Sequence, residues 1–152
     1  MEHLPHVACA TLVLALAWHA GAQTAEPAAE VVIAPFVTES DTRVDLRSQS
    51  VKCFEQFAAA LARNGVSVAR APQLSEENLR STHASWAVLG RLSQKEGQFR
   101  LELRLLEVHS GDEMRSYFNA DQDLQAACSA VEKAAQRIAA FVEEQERSQT
   151  TQ

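Results

Sequence analysis

Trp86 to Phe118 reads WAVLGRLSQKEGQFRLELRLLEVHSGDEMRSYF. Its opening, Trp86 to Ser93, is apolar on both alternating faces, the pattern of a strand covered on both sides. Glu96-Gly97 marks a hairpin turn. Gln98 to Val108 then alternates. Phe99, Leu101, Leu103 and Leu105 point one way, and Arg100, Glu102 and Arg104 point the other, which predicts a half-buried strand. The phase slips at Leu105-Leu106, where a bulge is expected. Ser110-Gly111 supplies a second turn, and Asp112 to Asn119, with Met114, Tyr117 and Phe118, a further strand.

Upstream, Val31 to Val37 (VVIAPFV) is apolar on both faces and β-branched at its start, as in a central strand. Pro35 must sit near its end, because proline donates no ladder hydrogen bond. Ser40, Asp41 and Asp45 are capping candidates for a helix over 46–64, in which Leu46, Phe54, Phe57 and Leu61 form one stripe. Asn64-Gly65 ends that helix, with Gly65 as the expected left-handed cap. Val66 to Ala69 reads as a short strand. Pro72 breaks the chain, and Ser75 is placed to cap a short helical turn over 76–80. Downstream, Leu124, Cys128, Val131, Ala135, Ile138 and Val142 recur at steps of three and four, which predicts a helix over 121–146. Asp121 and Asp123 lie at its start, where the helix dipole favours anions.

The predicted order is β-α-β-(short α)-β-β-β-α. It gives an α/β (α+β) fold with one mixed five-stranded sheet and both long helices packed on one face. If both helices take that face, the other is left to the segment 72–83 or to a partner.

The chain has 152 residues, 46% hydrophobic and 22% charged, which suits one globular domain and argues against wholesale disorder. Its formal net charge of −6 supplies no basic face for nucleic acid. Val7 to Trp18 (VACATLVLALAW) is uncharged, but too short to span a bilayer. Followed by Ala20-Gly21-Ala22, it reads as a signal peptide over 1–22, cleaved after Ala22. The n-region departs from the usual pattern, having no Lys or Arg before Val7. The expected mature chain has a flexible leader over 23–30, a domain over 31–142 and a polar tail over 143–152. It is expected to be periplasmic, with no stable membrane insertion after cleavage.

Residues for chemistry are sparse. The histidines beyond the leader, His83 and His109, fall on different predicted elements, and no C-x-x-C or H-x-x-x-H motif is present, so no metal site is expected. No G-x-S-x-G elbow marks a nucleophile. The loop between the first strand and the first helix contains no glycine, so no phosphate cradle and no cofactor are expected. Arg100, Glu102 and Arg104 with Trp86 form the candidate interaction surface. The blander reading gives a solvated strand face with a cross-strand ion pair, and Trp86 in the core. Cys53 and Cys128 each lie roughly 60° from the centre of their helix's apolar stripe. That suits contact between neighbouring helices, and export permits a disulfide, the alternative being two small buried hydrophobes. Antiparallel helices would leave the two about 7 Å out of register.

The run 84–118 also resembles a recurring periplasmic pattern, through Ala84, Trp86, Val88, Leu89, Gly90, Leu105 or Leu106, and Ser110-Gly111. Val31 to Phe36 is similar to the opening strand of the same pattern. This is the pattern of the TolB amino-terminal domain and its relatives, including CsgG-like and penicillin-binding-protein-activator domains, and the likeness covers about residues 31–142. It implies a noncatalytic protein-interaction module of a bacterial envelope assembly, docking an envelope protein and no nucleic acid. A small-molecule-binding or sensory domain using the sheet face opposite the helices is the alternative.

Overall fold

The computed structural model describes residues 31–75 and 77–152. The expected signal peptide and leader lie outside the described residues. Six strands and two long helices follow in the order β1 (Val31–Ile33), β2 (Val37–Ser40), α1 (Arg47–Arg63), β3 (Val68–Arg70), a 3-10 turn (Leu79–Thr82), β4 (Trp86–Lys95), β5 (Gln98–Glu107), β6 (Glu113–Asp121) and α2 (Leu124–Thr150). The mixed sheet runs β3-β1-β4-β5-β6, with β2 also paired to β4.

Among the described residues the sheet therefore has six strands rather than five, because the expected strand over 31–37 divides at Pro35. β1 pairs in parallel with Trp86–Val88 and β2 with Arg91–Gln94. Three residues, 34–36, stand opposite two, 89–90, so the register advances by one. Proline offers no N–H to the ladder. The extra residue turns the Phe36 side chain into the core over Gly90, where any Cβ would collide with the ring.

The hairpin turn lies where the sequence places it. Glu96 and Gly97 both have positive φ, 52° and 75°, the two-residue geometry that matches strand twist. Asp41 Oδ2 accepts the Glu96 N–H at 3.0 Å, tying the loop after β2 to this turn. At the slip between Leu105 and Leu106, β5 keeps an unbroken register with β4. The register shifts on the β6 side, leaving Met114 as the extra residue. Both leucines are buried because the sheet has a core on each face.

The larger core lies under the helices. Val31, Ile33, Trp86, Val88, Leu101, Leu103 and Leu105 of the sheet meet Phe54, Phe57 and Leu61 of α1 and Val131, Ile138 and Val142 of α2. The smaller core lies on the other face, where Leu74, Leu79 and Ala84 cover Val32, Ala87 and Leu106. That turn starts later than expected. Asn78, rather than Ser75, is its N-cap residue, and the Asn78 side chain accepts the Ser75 N–H at 2.7 Å.

Asp123 caps α2, accepting the Ala126 N–H at 2.8 Å. The helix continues to Thr150, through most of the segment expected as a tail. Residue 46 caps α1 without a side-chain bond, and Asp45 instead accepts the Arg47 N–H at 2.9 Å.

Candidate functional site

The sheet face away from the helices gathers the sequence-predicted charges. Register places Leu89, Arg91 and Ser93 of β4 opposite Arg104, Glu102 and Arg100 of β5. These in turn stand opposite Ser116, Phe118 and Ala120 of β6. Val37 and Glu39 of β2 flank Arg91 and Ser93 on the same face. The cover formed around Leu79 ends at Leu106 and Leu89. Past that point the face is open, and Phe118 stands 64% and Val37 60% exposed.

A cross-strand ion pair exists, but not with Glu102. Arg104 Nε binds Glu113 Oε2 at 2.6 Å, and Arg91 pairs with Glu39 at 3.7 Å. Glu102 makes no ion pair among the described residues, although Arg91 faces it across the ladder. Arg100 is half-buried, and its Nε is enclosed without a hydrogen-bond partner. Beside this row, Ala34, Pro35, Gln73, Leu74, Leu89 and Arg91 help to line an open groove of about 340 Å³ that reaches Glu102 and Arg104.

Trp86 does not belong to this surface. It faces the helices, is 6% exposed, and meets Phe141 edge-to-face with centroids 5.4 Å apart. Alternation along β4 puts it on the side of Val88 and Leu92, away from Arg91. In its place, sequence reasoning missed Arg91, Val37, Glu39 and Phe118. Part of that was legible. Counting outward from a two-residue turn at Glu96-Gly97 puts Arg91 opposite Glu102. Val37 and Glu39 depend on the break at Pro35, which has no such count.

The structure joins Cys53 of α1 to Cys128 of α2 in a disulfide, with Cα atoms 5.6 Å apart. The anticipated register mismatch does not arise. β5 is antiparallel to both β4 and β6, so β2 and β6 point the same way, and the helices that follow them run back side by side. Each cysteine then lies within the first two turns of its helix.

His83 and His109 are both exposed and sit on different elements. Among the described residues no cluster of His, Cys, Asp or Glu could hold a metal ion, and no helix is long and apolar enough to cross a membrane.

No protein-family model and no curated protein matches the sequence. Among solved structures the chain is similar to the PelC dodecamer from Paraburkholderia phytofirmans. Two crystal forms match at TM-scores of 0.54 and 0.53 with 17% identity, covering 74% of this chain and 93% and 91% of that one. At that identity the likeness shows a shared fold. Weaker likenesses reach the LpoB C-terminal domain from Escherichia coli, at TM-score 0.43 and 16% identity over 64% of this chain and 86% of that one. TolB from Acinetobacter baumannii matches at TM-score 0.43 and 14% identity, over 75% of this chain but only 27% of that one.

Proposed function

We propose that the chain is a noncatalytic protein-interaction module of the bacterial envelope, exported to the periplasm, which docks an envelope protein on the open sheet face. The observation that carries this reading is the composition of that face. Arg91, Arg100, Glu102 and Arg104 stand in rows, and two exposed hydrophobes, Val37 and Phe118, border them. Charge rows around exposed apolar side chains suit a partner with complementary charges, which set specificity and association rate, while burial of the apolar side chains supplies affinity. Glu102, which makes no ion pair among the described residues and stands opposite Arg91 and between Arg100 and Arg104 on its own strand, is available to a cation of the partner. The periplasmic part of the reading takes its support from the apolar run and small-residue site at the amino terminus and from the resemblance of residues 31–142 to TolB-type domains.

The groove of about 340 Å³ favours a second reading, a small-ligand site on the same face. Its size is at the lower end of ligand pockets, and Arg91, Glu102 and Arg104 converge on it. One comparison separates the two. Affinity capture from periplasmic extract is run with the wild type and with Arg100→Glu/Arg104→Glu. Loss of one protein band with the variant, at unchanged thermal stability, supports protein docking. An identical set of captured proteins contradicts it.

A further inference from the structure

We propose that the sheet edge formed by β6, together with the neighbouring flank of α2, binds an extended acidic segment of a partner protein as an added strand. β6 has nine residues, long for an edge strand, and among the described residues it pairs only with β5. Among the described residues, no backbone-to-backbone hydrogen bond outside the β5 ladder involves Ser116–Asp121. The outward amides and carbonyls there form a template for another strand. One carbonyl nearer the start, that of Met114, accepts from Arg115 Nη1 at 2.6 Å.

Beside this edge runs a cleft of about 300 Å³, lined by Tyr117, Asn119, Ala130, Lys133, Ala134 and Arg137 among others. The two alanines of α2 leave room for side chains of an incoming strand. Lys133 and Arg137 rim the cleft, and neither side chain makes a hydrogen bond or ion pair among the described residues. Arg115, on the same face of β6, lies over the Phe141 ring at 4.4 Å and makes no ion pair among the described residues. Two cations without carboxylate partners among the described residues therefore rim the cleft, and a third, Arg115, stands farther along the same strand face, in a chain of net charge −6. Tyr117 senses this. Burial raises its pKa, and Arg115 and Arg137 pull it down.

The periodicity of a strand then fixes the ligand's chemistry. Side chains of an added strand alternate between the helix side and the open face. On the helix side they meet Arg115, Lys133 and Arg137, so carboxylates are suited to every second position. On the open side they lie beside Phe118, so apolar residues are suited to the positions between.

The test needs no knowledge of the partner. A capped peptide alternating valine and glutamate, about ten residues long to span β6, is titrated against the isotope-labelled protein, with a valine–lysine peptide as control. The glutamate peptide is expected to bind, weaken with salt, and slow amide exchange along Ser116–Asp121. Lys133→Glu/Arg137→Glu should weaken it at least about tenfold and let the lysine peptide bind instead. Should that variant melt early, Lys133→Gln/Arg137→Gln replaces it, with the same loss expected for the glutamate peptide. Arg100→Glu/Arg104→Glu, on the open face, should leave this binding unchanged, which separates this edge from the docking surface proposed above. Equal binding of both peptides, or binding without protection of β6, overturns the proposal.

Discussion

Reducing the Cys53–Cys128 disulfide, with every side chain left in place, should cost a large share of the protein's stability. The bridge spans a sequence separation of 75 residues. Constraining a loop of that length in the unfolded chain contributes about 4 kcal/mol in the chain-entropy model. A domain of this size typically has about 5–15 kcal/mol in all. With a urea dependence of about 2 kcal/mol per molar, the unfolding midpoint should fall by roughly 2 M on reduction. Reduction is a cleaner perturbation than Cys→Ala, because both cysteines are fully buried, at 0% and 1% exposure, and truncation would add a cavity cost. The assay is urea unfolding followed by circular dichroism, with and without a phosphine reductant. Coincident curves would refute the reasoning, as would two free thiols in denatured, unreduced protein purified from the periplasm.

Gly90→Ala should destabilise the fold by about 1–3 kcal/mol, read as a lower thermal midpoint, because its methyl would displace the Phe36 ring from its edge-to-face contact with Phe54 at 5.6 Å. Tyr117 is the only tyrosine, so phenolate absorbance reports it alone. Its midpoint should lie above the ordinary value of 10.0, and Arg137→Glu should raise it further by removing a cation that favours the phenolate. Because the folded-state pKa is the higher one, this tyrosine's contribution to stability is intact below pH 10 and is lost as pH rises through the folded value. Mass spectrometry of the exported protein should find a chain beginning at Gln23; retention of Met1 would contradict export by signal cleavage.

Most of the fold was legible because hydrophobic period and turn chemistry agree along the chain. The Glu96-Gly97 turn fixes the register of β4 on β5, and the steps of three and four from Leu124 to Val142 place α2 on the sheet. Three features were legible only in part. Pro35 reads as the end of a strand, but β4 offers pairing on both sides of it, so the strand resumes at Val37. The bulge expected at the doublet Leu105-Leu106 is there, as a register shift between β5 and β6, but its extra residue is Met114 across the ladder, and the doublet also marks a core on each face. Trp86 reads more readily as core, but β4 is apolar on both sides, so its face is open in the sequence; Phe141, 55 residues on, meets it on the helix side. The candidate site was half visible, as alternation exposes Arg100, Glu102 and Arg104 together. Its neighbours Arg91, Glu39 and Phe118 come from strand pairing. The cations of the β6 edge were out of reach, because they join a strand to a helix flank.

The docking role of the open sheet face is tested most directly by photo-crosslinking in living cells. A photoreactive phenylalanine analogue replaces Ser93 on that face or, as control, the exposed Val51 on α1. The account predicts one discrete protein adduct from position 93 and none from position 51. Adducts from position 51 alone, or none from position 93 while the protein stays folded and exported, would contradict it.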